Sequence, residues 1–286
     1  MAAASQPSQT DIPGAEARAK LIEQFSKYQG DDYVKGWADL WEKKDFLPWD
    51  RGRPSPALED ALINHREVIG DPIVDGRRKR ALVPGCGRGY DVLLLESFGY
   101  DAVGVEVSEE AYKAALNYAE QAGNTYPVRD AKAGKGTRTF VLGDFYKNDF
   151  LSAAGLASER FDLIYDYTFF CAMDPLMRPA WAQRMSELLM DSVSARLICL
   201  EFPTQKQPST RGPPYGSPPE AYMAHLSHPG SKVPYDEAGN VKHNALAESN
   251  PAALERIGHW HPADTHALGR DEAGNIQDYV SVWRHK

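Results

Sequence analysis

The chain has 286 residues, 42% of them hydrophobic, enough to bury the core of one large α/β domain or two small ones. Its formal net charge of −8, with no block of lysine or arginine, argues against binding to nucleic-acid phosphates. No apolar run reaches the roughly 20 residues of a membrane span, and no secretory signal begins the chain. Only three cysteines occur, which indicates a reduced, cytoplasmic protein rather than a disulfide framework.

The first part of the chain predicts a short tail and then a helical cap. Residues 1–15 are mostly small and polar and predict a disordered tail, which leaves 16–286 as a single domain. Within it, residues 16–70 predict an N-terminal helical cap, because apolar side chains recur at helical spacing over 16–28 and 33–44.

Three tryptophans stand in this cap. Trp37 and Trp41 are four residues apart and therefore share one face of the predicted helix, and Trp49 follows just after it. Two interpretations stay open. The rings pack a small core, or they form a lid over a cationic ligand, because aromatic faces attract a sulfonium or ammonium group.

A glycine-rich turn follows the cap. Residues 80–91 read R-A-L-V-P-G-C-G-R-G-Y-D, an apolar run that enters three alternating glycines and then a leucine-rich segment. This order predicts a buried strand, a tight turn and a helix. Glycine permits the unusual dihedrals of such a turn, and the start of the helix offers free N–H groups, so the turn fits a nucleotide-like ligand.

An acid after the next strand narrows the choice of ligand. Residues 102–107 predict a second strand that carries Glu106 at its end, at about the distance from Gly89 expected of an acid that binds ribose hydroxyls. The pattern G-x-G-x-G lacks the third glycine of a dinucleotide site. The sequence therefore favours S-adenosylmethionine (SAM) over NAD, and a turn without ligand is the less favoured alternative.

The later elements alternate and predict a doubly wound, Rossmann-like α/β sheet. A third strand at 138–142 is followed by Asp144, an acid that could accept a hydrogen bond from the exocyclic amine of adenine. The other predicted elements are helices at 108–121, 175–190 and 218–226, and strands at 161–167, 194–202, 254–260 and 276–283.

Six motifs together resemble a known family. They are W-A-D-L-W (37–41), P-W-D-R-G-R-P-S-P (48–56), V-P-G-C-G-R-G-Y-D (83–91), F-D-L-I-Y-D-Y-T-F-F-C-A-M-D-P (161–175), M-R-P-A-W (177–181) and G-P-P-Y (212–215). Over about residues 33–226 the chain resembles the thiopurine methyltransferase superfamily, and most closely its thiol/halide methyltransferase branch of plants and fungi.

The resemblance implies a SAM-dependent methyltransferase fold with a seven-stranded, mostly parallel sheet and a small thiol, hydrosulfide or halide as acceptor. It implies no metal, and it leaves the catalytic residues unknown. Residues 228–250 look like an insertion relative to the plant enzymes. The SAM-binding positions that the resemblance implies are Trp37, Trp41, Trp49, Gly85, Glu106, Asp144, Phe145 and Tyr167.

Four residues near the predicted strand ends could help a thiol lose its proton: Asp166, Tyr167, Glu201 and Tyr215. We expect them to cluster near the mouth of the pocket, without assigning any of them as a catalytic base. The alternative functions are a small-molecule O- or N-methyltransferase of secondary metabolism, a nicotinamide oxidoreductase and a non-catalytic SAM-binding protein. Zinc at the three C-terminal histidines (259, 261 and 266) is disfavoured, because no cysteine pair accompanies them.

Overall fold

The computed structural model describes residues 15–122, 124–156, 160–246 and 248–286. The predicted tail lies outside these ranges except for its last residue, Ala15, which begins the first helix rather than ending a tail. In the part of the chain that is described, no helix is long and apolar enough to cross a membrane.

Four helices form the predicted cap: α1 (Ala15–Phe25), α2 (Tyr33–Lys43), α3 (Pro56–Asn64) and α4 (Arg66–Ile69). Helix α2 ends where Lys44 turns into the left-handed region at φ 59°. Helix α3 begins with a side-chain cap, because the Ser55 hydroxyl accepts a hydrogen bond from the Leu58 N–H at 3.3 Å. Helices α1 and α2 pack together through Leu21, Phe25 and Leu40.

The rest of the chain alternates strands and helices. The sequence did not predict the short hairpin at its start or helix α7. The elements are β1 (Ile73–Val74), β2 (Arg77–Arg78), β3 (Arg80–Pro84), α5 (Tyr90–Ser97), β4 (Asp101–Glu106), α6 (Glu109–Ala122), β5 (Arg138–Leu142), α7 (Asp149–Ala153), β6 (Leu163–Tyr167), α8 (Arg178–Leu188), β7 (Arg196–Glu201), α9 (Pro219–Ser227), β8 (Leu254–Trp260) and β9 (Tyr279–His285).

Seven of these strands form one sheet in the order β5-β4-β3-β6-β7-β9-β8. All neighbours are parallel except β9, which runs antiparallel between β7 and β8. Strand β3 lies between β4 and β6, so the chain order reverses at β3. In an open α/β sheet, ligands bind beyond the carboxyl ends of the strands at such a reversal. The predicted doubly wound, mostly parallel sheet is confirmed.

Each face of the sheet carries its own apolar core. Helices α3 and α5 cover one face through side chains such as Leu58 and Leu95. Helices α8 and α9 cover the other through Trp181, Met185 and Tyr222. The two cores bury both faces of the sheet, and loops follow the carboxyl ends of the strands.

The segment before β8 is irregular. Tyr235 and Val241 form a single antiparallel bridge, and a short 3₁₀ turn follows at His243–Ala245. The Tyr235 hydroxyl lies 2.7 Å from Nε2 of His225, which fastens the segment to α9. That residues 228–250 are an insertion stays a prediction.

Candidate active site

The glycine turn joins β3 to α5. Gly85, Gly87 and Gly89 all have positive φ, at 58°, 53° and 77°, where other residues are strained. Space is short as well, because a Cβ at Gly85 would lie 2.6 Å from the ring of Phe169. The Cys86 N–H donates to the Val105 carbonyl at 3.2 Å, which ties the turn to β4. All three glycines are therefore favoured by the dihedrals, and Gly85 and Gly89 by close packing as well.

Glu106 ends β4 beside this turn and is only 7% exposed. Its carboxylate accepts three backbone N–H groups: Gly87 at 3.0 Å on Oε2, and Val107 at 2.9 Å and Ser108 at 3.0 Å on Oε1. Burial raises the pKa of Glu106, while these three hydrogen bonds pull it back. A carboxylate has about four acceptor sites, so Oε2 keeps room for one further donor.

An aromatic wall faces the turn. The ring centroids of Trp37 and Trp49 are 5.0 Å apart, and those of Trp41 and Trp49 are 6.1 Å apart, both pairs edge to face. Trp41 is 6% exposed, whereas Trp37 and Trp49 are half-buried. The tryptophans thus serve both as packing for the cap and as one side of a cavity.

Asp50 fixes this wall to the glycine turn. Its carboxylate accepts hydrogen bonds from Arg88 Nε and, at 2.7 Å, from the Tyr90 hydroxyl. The Arg88 guanidinium also lies 5.7 Å from the centre of the Trp41 ring, within range of a cation–π contact. These contacts join two of the sequence motifs, P-W-D at residues 48–50 and V-P-G-C-G-R-G-Y-D at residues 83–91.

The structure brings most of the sequence-predicted positions together. One cavity, here called the glycine-turn cavity, is lined by seven of the eight: Trp37, Trp41, Trp49, Gly85, Glu106, Asp144 and Phe145. The eighth, Tyr167, lines an adjoining cavity that shares Trp41, Trp49 and Gly85 with the first. Its hydroxyl is buried and has no hydrogen-bond partner among the described residues.

Asp144 and Phe145 follow β5 at the same edge of the sheet. Asp144 accepts the Tyr146 N–H on Oδ1 at 3.0 Å, and its Oδ2 lies 3.5 Å from the Lys147 ammonium. Phe145 packs edge to face on Phe169, with centroids 5.2 Å apart. A half-buried acceptor beside an aromatic face suits a purine with an exocyclic amine.

Sequence reasoning missed other residues that line this cavity, among them Tyr33, Phe169 and Met173. Tyr33 precedes Trp37 by four residues on α2, so helical spacing could have identified it. Its hydroxyl donates to the Ala172 carbonyl at 2.7 Å and thereby joins α2 to the loop after β6. Phe169 and Met173 belong to an apolar loop whose sequence gives no sign of which side chains face a ligand.

Two of the expected proton acceptors lie elsewhere. Asp166 is fully buried and accepts hydrogen bonds from Trp181 Nε1 at 2.8 Å and from the Phe170 N–H at 3.1 Å. Burial raises its pKa to about 6. Glu201 is fully buried and pairs with His259 Nε2 at 3.0 Å. The expected cluster of Asp166, Tyr167, Glu201 and Tyr215 at a pocket mouth is therefore wrong. Of the four, only Tyr167 lines the glycine-turn cavity or a cavity that adjoins it.

A second cavity adjoins the glycine-turn cavity, and Trp37, Trp49, Thr168 and Ala172 line both. Its charged lining consists of three cations: Arg18, Arg51 and Lys206. Among the residues that the structure describes, no aspartate, glutamate or histidine lines it. We call it the cation-lined cavity.

The rest of this lining is mostly apolar, with proline, aromatic and aliphatic side chains. Its one thiol, Cys171, is buried, and burial raises the pKa of that thiol to about 12. The thiol stays protonated at neutral pH and does not neutralise the cations. A cavity of positive charge and apolar surface favours a small anion over a neutral or cationic ligand.

The three histidines do not converge. His259 pairs with Glu201, His261 Nδ1 lies 2.8 Å from the Asp278 carbonyl, and His266 stacks on Tyr167 with centroids 5.8 Å apart. Within the described ranges, no group of three or more histidine, cysteine or acidic side chains is placed to hold a metal ion.

A family model described as thiopurine S-methyltransferase (TPMT) matches residues 33–255, well over half of the chain. The chain belongs to the thiopurine S-methyltransferase family. The resemblance carried by the six motifs is thereby confirmed, and SAM is the cofactor of this TPMT-family chain.

Two plant relatives agree with the thiol branch of the family. The chain is 34% identical over 241 residues to "Probable thiol methyltransferase 2" of Arabidopsis thaliana, covering 84% of this chain and 91% of that protein. It is 34% identical over 226 residues to "Thiocyanate methyltransferase 1" of Brassica oleracea, covering 79% and 84%. A bacterial TPMT relative, "Thiopurine S-methyltransferase" of Legionella pneumophila (strain Paris), is 31% identical over 60% of this chain and 74% of its own length.

Proposed function

We propose that this chain transfers the methyl group of SAM to a small sulfur anion, such as a thiolate, thiocyanate or hydrosulfide. The observation that carries the proposal is the cation-lined cavity, which shares a wall with the glycine-turn cavity. The names of the plant relatives, thiol and thiocyanate methyltransferase, support the same class of acceptor.

SAM fits the residues of the glycine-turn cavity. Oε2 of Glu106 has room for a donor such as a ribose hydroxyl, and Asp144 with Phe145 suits adenine. The wall of Trp37, Trp41 and Trp49 offers ring faces and edges to a sulfonium. We propose these six residues, together with Gly85 and with Tyr167 of the adjoining cavity, as the SAM-binding set.

The methyl group of bound SAM is activated by its sulfonium, so the chain's own task is to hold a nucleophile nearby and to exclude water. Proximity of this kind lowers the barrier without proton transfer, and an anion stripped of water attacks faster. The aromatic and proline side chains around the cation-lined cavity supply the dry surface.

The cations of this cavity favour the ionised acceptor, a task for which the sequence offered four candidate residues but no assigned base. A positive charge within about 4–6 Å lowers the pKa of an acid by roughly 1–3 units. A thiol, with an ordinary pKa of about 8.5, would then be bound as the thiolate near neutral pH. The pH profile for a thiol is accordingly displaced below its free pKa, although no carboxylate takes the proton.

The O- and N-methyltransferase alternative is disfavoured by the same lining. A phenol has an ordinary pKa of about 10 and needs a base within hydrogen-bond reach, and the described lining of this cavity contains no acid or histidine. A halide remains a second candidate acceptor, because it carries negative charge and no proton.

The test is a competition among acceptors. Methyl-labelled SAM is incubated with a thiol, thiocyanate, iodide and a phenol, and the products are identified by mass spectrometry. We expect the thiol and thiocyanate to be methylated fastest, iodide more slowly and the phenol not at all. A phenol that outpaces the sulfur acceptors would replace S-methylation with O-methylation, and SAM binding with no turnover of any acceptor would favour the non-catalytic alternative.

A further inference from the structure

The loop at residues 203–218 follows β7 and supplies part of the lining of the cation-lined cavity. The Lys206 side chain connects the two halves of this loop. The Lys206 ammonium donates to the Gly212 carbonyl at 3.1 Å and to the Pro214 carbonyl, so it ties the start of the loop to the G-P-P-Y segment. The same side chain lines the cavity. Lys206 is therefore held in place by the main chain at the wall where an acceptor would lie.

The Lys206 ammonium has one N–H donor that the described hydrogen bonds do not use. An ammonium group has three N–H donors, and the described contacts use two of them. The charge is not cancelled locally either, because no carboxylate lines this cavity among the described residues and the nearby Cys171 is a protonated thiol. An anion in the cavity would supply both the missing acceptor and the missing charge.

Two other cations line the cavity but are placed differently. Arg18 belongs to α1 at its exposed side. Arg51 donates to the Pro48 carbonyl and also lines the adjoining cavity of Tyr167, so it lies between two sites. Lys206 is the cation that donates its described hydrogen bonds to carbonyls of the loop after β7, and residues of that loop line the cavity.

We propose that Lys206 binds the acceptor anion directly and selects sulfur anions over neutral acceptors. The proposal rests on the proposed function and adds to it the residue that recognises the acceptor's charge. The Lys206 ammonium stabilises a bound thiolate or thiocyanate and keeps its own protons, and a thiol releases its proton to water when it binds. The acceptor sulfur then forms a bond to the methyl carbon while the bond between that carbon and the SAM sulfonium breaks, which leaves the former sulfonium as a neutral thioether.

One rival role uses the same position. A neutral Lys206 amine could donate to both carbonyls and present its lone pair to a thiol as a base, and burial does lower the pKa of this lysine. The charged form makes the stronger hydrogen bonds to carbonyls, which favours the ammonium. The two roles differ in their effect on an acceptor that has no proton to lose.

The experiment compares Lys206→Met, which removes the charge, with Lys206→Arg, which keeps a charge that cannot be lost. Lys232→Met, which removes the charge of an exposed lysine that lines neither cavity, is the matched control. For each protein, kcat/KM is measured for thiocyanate and for one thiol across a range of pH, and SAM affinity is measured by calorimetry.

We expect Lys206→Met to lower kcat/KM by roughly 10–100-fold for both acceptors, because a charge-assisted hydrogen bond is lost. The control and Lys206→Arg should keep most of the activity towards thiocyanate, and SAM affinity should be unchanged in all three. If Lys206→Met impairs only the thiol, the residue is a base and the proposal is overturned. If it impairs neither acceptor, Lys206 only fastens the loop.

A spectroscopic measurement gives a second readout that does not require turnover. An aromatic thiol, whose thiolate has its own absorbance, is titrated with pH while bound to the protein with the demethylated cofactor product. Its bound pKa should lie below the free value and rise by about 1 unit in Lys206→Met. A bound pKa that the substitution does not move would contradict the proposal. Failure of the natural chain to methylate any sulfur acceptor would instead remove the proposed function itself.

Discussion

The glycine-turn cavity and the cation-lined cavity lie side by side, but different parts of the chain hold them in place. In the glycine-turn cavity, main-chain groups at the ends of strands position the lining. They are the turn after β3 and the three N–H groups that donate to Glu106 at the end of β4. In the cation-lined cavity, the charges come from α1, from residue 51 and from the long loop after β7. The sheet therefore fixes the glycine-turn cavity, proposed for the cofactor, whereas loops, which vary more than the scaffold that carries them, form the cation-lined cavity, proposed for the acceptor.

The largest effect expected from this contrast is on Gly85. An alanine there takes a left-handed φ of 58° and brings its Cβ within 2.6 Å of the Phe169 ring. The dihedral costs about 1–2 kcal/mol and the overpacking about 1–3, so Gly85→Ala should lose roughly 2–5 kcal/mol of unfolding free energy together with SAM binding. Chemical denaturation and calorimetry measure the two effects.

Gly134→Ala is the matched control, because Gly134 has a φ of 67° and nothing within 4 Å of the added Cβ. It should lose only the roughly 1–2 kcal/mol of the dihedral and keep SAM binding. Equal losses at the two positions would mean that contact with Phe169 does not matter to the turn.

The second effect compares Glu106, a buried acid with three N–H donors, with Asp278, a buried acid with one described donor. Asp278, just before β9, is 1% exposed, accepts one hydrogen bond from the Thr265 hydroxyl, and has no described partner for Oδ1. Burial raises its pKa from 3.8 to about 6. The folded state therefore holds this proton more tightly, and the stability that this gives is present below about pH 4 and lost as the pH rises through 6.

Asp278→Asn keeps an acceptor for Thr265 and removes the titration. The variant should be more stable than the natural chain above pH 6, by at most about 3 kcal/mol, and should show no advantage below pH 4. Thermal unfolding from pH 4 to 8 measures the difference. An advantage that does not change with pH would show that Asp278 is not the group that titrates.

The third effect separates the two cavities directly. Glu106→Ala removes the acceptor proposed for the ribose hydroxyls and should weaken SAM binding by roughly 1–3 kcal/mol. Gln205→Ala changes the cation-lined cavity and should leave SAM affinity unchanged. Circular dichroism checks that both variants are folded. Unchanged SAM affinity in Glu106→Ala would remove this residue from the proposed set.

The sequence predicted the glycine-turn cavity well because its signals are local. The seven main strands, the glycine turn and the position of Glu106 follow from apolar runs, from glycines at alternate positions and from an acid at a strand end. The short hairpin β1–β2 and helix α7 were missed, because two-residue strands and a five-residue helix carry too few residues for a periodic pattern.

The cation-lined cavity was not predictable from local sequence patterns. Arg18, Arg51 and Lys206 come from three segments far apart in the chain, and no spacing relates them. The error over Asp166 has a clear physical cause. Successive side chains of a strand point to opposite faces, so Asp166 meets Trp181 in one core while Tyr165 joins the core of the other face. The alternation of side chains along β6 could have shown that Asp166 does not share a face with Tyr165 and Tyr167.

The wall shared by the two cavities has a thermodynamic consequence. Trp37, Trp49, Thr168 and Ala172 line both cavities, so a ligand in one would contact side chains that also face the other. For the proposed pair of ligands, linkage requires reciprocity: any factor by which SAM changes the affinity for the acceptor equals the factor by which the acceptor changes the affinity for SAM. Under the proposed function, the shared side chains are the route by which the two binding equilibria would be coupled.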